Sequence, residues 1–277
     1  MSTDDNPYES LADEHGEDHR WAFGTGFVDP LEGIDTSIPA GVDADALAAQ
    51  CLALGDDALI YSHRLQQWVT RMPELEEETA LANIALDLLG QARMLLARAG
   101  TIVGRSEDEL AFFRAEHEFR NVRFVERLDR DFAELVGRLL IFATWRLALF
   151  EQLAGSADPV LAAIAAKGGK ELTYHRDYAA QWVVRLGDGT DESKRRMQAG
   201  LEVIWPLVDE LFAEVDRAEA DVVLDTVFAT AGLKRPDRAA LAPVDRRTGR
   251  DGVHTEAMGY VLAELQSVAR AHPEATW

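Results

Sequence analysis

Residues 73–98 read PELEEETALANIALDLLGQARMLLAR, and this stretch decides the fold. Leu81, Ile84, Leu88, Leu95 and Ala99 return at α-helical steps, which requires one buried face. Ala82, Ala85, Leu86, Leu89 and Leu96 extend the apolar character round nearly the whole circumference, so the helix is expected to be buried on most sides. Against that background Asn83, Asp87 and Gln91 stand four residues apart. At about 100° per residue they share an arc of roughly 80°. Polar groups inside a packed helix are costly unless the protein itself supplies partners. The stripe therefore marks either a polar or metal site in a bundle or a structural network.

Upstream, Asp43 and Asp45 are both suitable N-caps for a helix running to about Arg71, with Leu47, Leu54, Ala58, Tyr61, Leu65 and Trp68 as its buried stripe. Asp56 and Asp57 fall inside this helix, where capping does not explain a carboxylate, so at least one should point at a partner. The Met72-Pro73 break is followed by Glu74, Glu76, Glu77 and Glu78, which read as charges favoured at a helix start rather than as ligands.

Downstream, Phe124, Leu128, Phe132, Leu135, Leu139 and Phe142 predict a third long helix over roughly 121–154. Asp158 then suits an N-cap and Pro159 the first helical position of a fourth, reaching about Leu186. Lys167, Lys170, Glu171, Tyr174, His175, Tyr178 and Trp182 share one side of it. A fifth helix is expected over about 191–218, bent at Trp205-Pro206, with shorter ones near 221–231 and 252–272 and a loop over 234–251. Period-two alternation is scarce. The fold class is all-α: two long helical hairpins forming a four-helix bundle with additional C-terminal helices. Residues 43–277 make one helical domain, and residues 1–42 read as an acidic, flexible extension. In that extension Trp21, Phe23 and Phe27 are candidate surface pins, and His15 and His19 read as solvated tail histidines rather than a metal pair.

A chain of 277 residues, 47% hydrophobic, can bury a substantial core as a single domain. The single cysteine, Cys51, excludes an internal disulfide framework and fits a reducing compartment, with cytoplasm the default. The most apolar stretch, Leu135 to Phe150, is interrupted by Arg138 and Arg146, so neither export nor a membrane span is indicated. A formal net charge of −21 argues against nonspecific binding to nucleic acid or an anionic membrane, because phosphates would be repelled over most of the surface.

A bundle with inward acids invites a di-iron reading, which needs a Glu from each of two helices and a Glu-x-x-His pair from each of the other two. No Glu-x-x-His occurs in the chain, and the third helix offers only apolar residues around Leu139 to Phe142. What remains is Asp57, Asp87, Glu171 and His175, with Asn83 and Gln91 as satisfying neighbours and Lys167, Lys170, Arg64 or Arg146 as neutralising cations. That set reads as a hydrogen-bond or ion-pair network, with no metal ligand and no catalytic residue assigned. If Asp87 pairs with a buried cation, Asp87→Leu should cost roughly 3 to 5 kcal/mol. Phosphate loops, nucleophile elbows and cysteine pairs are missing. Cys51 reads as a small core residue, and Trp68, Trp145, Trp182 and Trp205 as packing anchors.

Three segments, LGDDALIYSHRLQQW, PELEEETALANIALDLLGQARMLL and KELTYHRDYAAQWVVRLGDGTDESKRRMQ, together resemble the C-subunit family of the multicomponent ring-1,2-phenylacetyl-CoA epoxidase. The similarity covers about Cys51 to His272. The resemblance implies a ferritin-like bundle related to the catalytic di-iron A subunit but lacking its complete ligand set. It also implies a noncatalytic, cytoplasmic partner of that A subunit, and of the other epoxidase subunits, in a complex that epoxidises the aromatic ring of phenylacetyl-CoA. On this resemblance the irons belong to the A subunit, FAD and an iron–sulfur cluster to an NADPH-dependent reductase subunit, and no cofactor to this chain. Asp57, Asn83, Asp87, Gln91, Glu171 and His175 would be a vestigial site. The competing readings are a self-sufficient di-iron oxidase with nonstandard ligands and a ferritin-like scaffold for another pathway.

Overall fold

The structure, a computed structural model, describes residues 31, 33–72, 74–213 and 215–275. The expectations for Trp21, Phe23, Phe27, His15, His19 and Pro73 lie outside the described residues.

Helix α1 (Ala44–Val69) starts on Asp43, whose carboxylate accepts from the amides of Asp45 and Ala46 at 3.0 and 3.2 Å. This satisfies two of the donors that every helix start leaves open. Helix α2 (Leu75–Val103) carries the opening stretch and ends where Gly104 takes a φ of +71°, a conformation costly for any side chain with a Cβ. A capping box between Ser106 and Glu109 starts the short α3 (Glu107–Phe112). Helix α4 (Phe132–Leu153) is capped by Asp131. Helix α5 (Pro159–Gly187) is capped by Asp158, which accepts from the Leu161 amide at 2.8 Å, with Pro159 in the first turn. Then follow α6 (Asp191–Ile204), a 3-10 turn at Trp205–Leu207, α7 (Val208–Leu211), α8 (Ala218–Thr230) and α9 (Glu256–Ala271).

α1 and α2 pack along one another as a hairpin, α4 and α5 form the second, and α2 meets α5 across the bundle. α6 and α8 cover the second hairpin, while α9 lies over α1 and α3. No strand is present among the described residues; this is the ferritin-like all-α bundle with C-terminal additions. The core runs through Leu54, Tyr61, Leu88, Leu139, Phe142 and Trp145. Tyr61 and Phe142 meet at 4.5 Å between ring centroids, and Phe142 and Trp145 at 5.6 Å.

Three expectations are corrected. The third helix begins at Phe132, not near Asn121, although Phe124 is buried as its period required. The preceding backbone is held irregular by side chains from elsewhere: Asp57 takes the Val122 amide at 2.8 Å, Arg138 the Phe124 carbonyl at 2.7 Å and Arg64 the Glu126 carbonyl at 2.6 Å. The fifth helix stops at Ile204 because Pro206 has no amide to donate; the 3-10 turn and the four-residue α7 follow, and the next longer helix starts at Ala218. Helix α2 is not buried on most sides: Leu75 is 74% exposed and Leu86 58%. α2 is also long and apolar enough, by length and composition, to cross a membrane, yet one face of it is packed against α1 and α5. The helix enclosed nearly all round is α4, which buries Arg138 and Arg146 completely.

Candidate functional site

Gln91, on the buried face of α2, is the hub of the site. Its amide nitrogen donates to Oε2 of Glu171 on α5 at 3.0 Å, and its Oε1 accepts from Nε of Arg146 on α4 at 3.0 Å. Three helices are thereby tied through one neutral side chain. The close approach depends on Gly168, where an added Cβ would lie 2.6 Å from the Phe150 ring and 3.2 Å from Cδ of Gln91. Lys167, one turn before Glu171, pairs with its other carboxylate oxygen.

Arg146 is fully buried and, among the described residues, has no carboxylate in direct contact. Its guanidinium lies over the Phe150 ring at 4.5 Å and the Phe142 ring at 5.7 Å, and Nη2 donates to the Leu54 carbonyl at 3.2 Å. Burial pulls its pKa down to about 10, against the opposing pull of Asp57. Nη1 of Arg146 has no hydrogen-bond partner among the described residues.

One turn along α2, Oδ2 of Asp87 lies 3.0 Å from Nε2 of His175 on α5. The imidazole is buried, whereas the carboxylate is 41% exposed at the bundle surface. Nδ1 of His175 is likewise buried and unpartnered among the described residues.

The structure brings Asp87, Gln91, Glu171 and His175 together on the α2–α5 seam and separates the other two sequence candidates from them. Asn83 is exposed on α2 and does not satisfy the network. Asp57 turns away toward the C-terminal segment, where both its oxygens accept from Arg250 at 2.9 and 2.8 Å and Oδ1 also takes the Val122 amide. Its neighbour Asp56 is fully buried against Arg114 and accepts the Arg120 amide at 2.8 Å. Asp56 and Asp57 thus both have partners, supplied by segments that helical periodicity does not connect to them. Glu77, read as a helix-start charge, also accepts from the Tyr178 hydroxyl at 2.6 Å and the Trp182 indole at 2.9 Å. His63 meets Glu264 of α9 at 3.3 Å, and Cys51 is buried in the core.

These donors do not fit a di-iron centre. A guanidinium occupies the seam where anionic ligands would be needed, Glu171 is committed to Lys167 and Gln91, and the one imidazole meets a single carboxylate. Among the described residues no group of three His, Cys, Asp or Glu side chains is placed to hold a metal ion.

Over residues 35–277 the chain matches the family described as phenylacetic acid catabolic protein. It is 41% identical over 249 residues to the C-subunit of 1,2-phenylacetyl-CoA epoxidase from Escherichia coli (strain K12), an alignment covering 83% of this chain and 99% of that one. The bundle, its C-terminal additions and the cation-filled seam are therefore those of a chain that belongs to the phenylacetic acid catabolic protein family.

Proposed function

We propose that this chain is the noncatalytic structural subunit of a multicomponent, NADPH-dependent oxygenase that epoxidises the aromatic ring of phenylacetyl-CoA during aerobic phenylacetate breakdown in the cytoplasm. The observation that carries the reading is Arg146, a buried cation closed in by Gln91, Phe142 and Phe150 where a working centre would gather carboxylates and imidazoles. Oxygen would be activated at two irons in a sister A subunit, with electrons arriving through a separate flavin and iron–sulfur reductase. This chain would supply a large helical docking face and hold the catalytic subunit in shape. Leu86 and Tyr174, 58% and 76% exposed and each next in sequence to a member of the Asp87–His175 pair, provide apolar surface for such a contact.

Reconstitution tests the reading. The purified chain should carry no stoichiometric iron, should co-purify with a di-iron A subunit, and should be required for phenylacetyl-CoA-dependent NADPH consumption by the mixture. About two irons per chain, lost in Asp87→Ala and Glu171→Ala, would instead make it an oxidase in its own right.

A further inference from the structure

The C-terminal helix is docked through a buried group that the function proposed above does not use. Thr255, the N-cap residue just before α9, donates through both its amide and its hydroxyl to Oε2 of Glu126, at 2.7 and 2.6 Å. The other oxygen of Glu126 lies 2.7 Å from Nδ1 of His254, and Nε2 of the same ring lies 3.2 Å from the Phe119 carbonyl. The His254 and Glu126 side chains are fully buried. Just upstream, Gly252 takes a φ of +74°, and a Cβ there would run into the His117 carbonyl, so the segment is pressed closely onto residues 117–120.

The ring faces a carboxylate on one side and a carbonyl on the other, and both are acceptors. A neutral imidazole has only one N–H and would direct a lone pair at one of the two oxygens; the imidazolium satisfies both. We propose that His254 is a pH-sensitive latch for α9: its doubly protonated ring clamps the helix start onto Glu126 and the Phe119 carbonyl, and loss of one proton loosens that end.

The surrounding charges are consistent with this. Glu116 attracts the ring from the turn at residues 116–118. From the 119–121 stretch, Arg120 Nη1 shares the Phe119 carbonyl at 2.8 Å and the Asn121 side-chain amide donates to Glu126 at 3.0 Å. From α1, Arg64 donates to the Glu126 carbonyl at 2.6 Å and to the Ala257 carbonyl of α9 at 3.2 Å. Arg250, paired with Asp57, donates to the Arg120 carbonyl at 2.7 Å. Burial opposes the charged ring, but the hydrogen bond and attraction of Glu126 outweigh it, and the His254 pKa lies above its ordinary value. A group raised in the folded state contributes fully below its unfolded value, about 6.5 for histidine, and loses that contribution as pH rises through the folded value. The latch is therefore closed in mild acid and opens in base. Further along α9, His63 and Gln67 hold Glu264, and Gln266 and Arg270 hold the Arg114 carbonyl, so release is confined to the first turns. Burial pushes the His63 pKa down, which keeps that ring largely neutral over the window in which His254 titrates.

Amide hydrogen exchange on the full chain, corrected for intrinsic rates, tests the latch. Between pH 6.5 and pH 9.5 protection over residues 256–263 should fall at least tenfold more than that of α4, which reports global stability, and His254→Gln should be weakly protected at both. A fall no larger than that of α4, or a wild-type pH response in His254→Gln, would overturn the proposal. Nitrogen-15 spectra of the histidine-labelled wild type provide a readout that needs no variant. Two protonated ring nitrogens at pH 6.5 are expected for His254, and a neutral tautomer at that pH would overturn it.

Discussion

Nε of Arg146 donates to Oε1 of Gln91 at 3.0 Å, while the amide nitrogen of Gln91 donates to Glu171 at the same distance, so a neutral side chain relays between a buried cation and a carboxylate on different helices. Removing the relay should cost more than removing the charge. Gln91→Leu strands a desolvated guanidinium and should lower stability by about 3 to 5 kcal/mol. Arg146→Met removes the charge with its hydrogen bonds, and the double variant should recover most of the loss, since apolar replacement of buried ionic groups is often neutral or better. Urea denaturation of the four proteins forms the cycle, and a near-neutral Gln91→Leu would show that the relay carries no energy.

Asp87 carries a smaller penalty than pairing with a buried cation would impose. Its partner is the His175 imidazole rather than a buried arginine, and its own carboxylate is partly solvated. Asp87→Leu should therefore cost about 1 to 3 kcal/mol, the range for one buried polar atom losing its partner. A loss at the level expected for Gln91→Leu would mean that the Asp87 charge is felt beyond His175.

Cys51 should be chemically silent in the native protein. Its side chain is completely buried, and burial raises the thiol pKa to about 12. Thiol reagents at pH 8 should leave it unmodified until urea unfolds the chain, after which labelling should reach one equivalent. Because the folded value is raised, stability should decline as pH climbs from the unfolded value of about 8.5 toward 12. Rapid native labelling at pH 8 would reveal opening of α1.

If the α2–α5 face receives the catalytic subunit, Leu86→Asp and Tyr174→Asp should each weaken association at least tenfold. Both residues are exposed in the isolated chain, so stability should stay within about 0.5 kcal/mol of wild type. Co-purification and thermal melts separate the two effects; full binding by both variants would place the docking face elsewhere.

Local physics made much of the bundle legible. Asp43 and Asp158 accept amides two or three residues ahead, so their capping roles can be read from short spacing alone. The Asn83, Asp87 and Gln91 stripe pointed to the seam, but periodicity cannot tell which members lie inside: Gln91 is buried, Asp87 is half-exposed and Asn83 is exposed. Their fates differ because α5 crosses α2 along only part of that arc. α2 itself misled through the same ambiguity, since an apolar face covered within the chain and one left open have identical hydropathy.

The amino-acid sequence by itself determined the helices, most of their ends, and the missing Glu-x-x-His pairs, because each rests on interactions within a turn or two of the chain. Only the tertiary structure decided that Asp57 belongs to Arg250, Asp56 to Arg114 and Gln91 to Arg146, partners separated by 193, 58 and 55 positions. Desolvation makes an unpaired buried charge too costly to keep. It demands a partner without specifying which one, and the packing of distant segments supplies it.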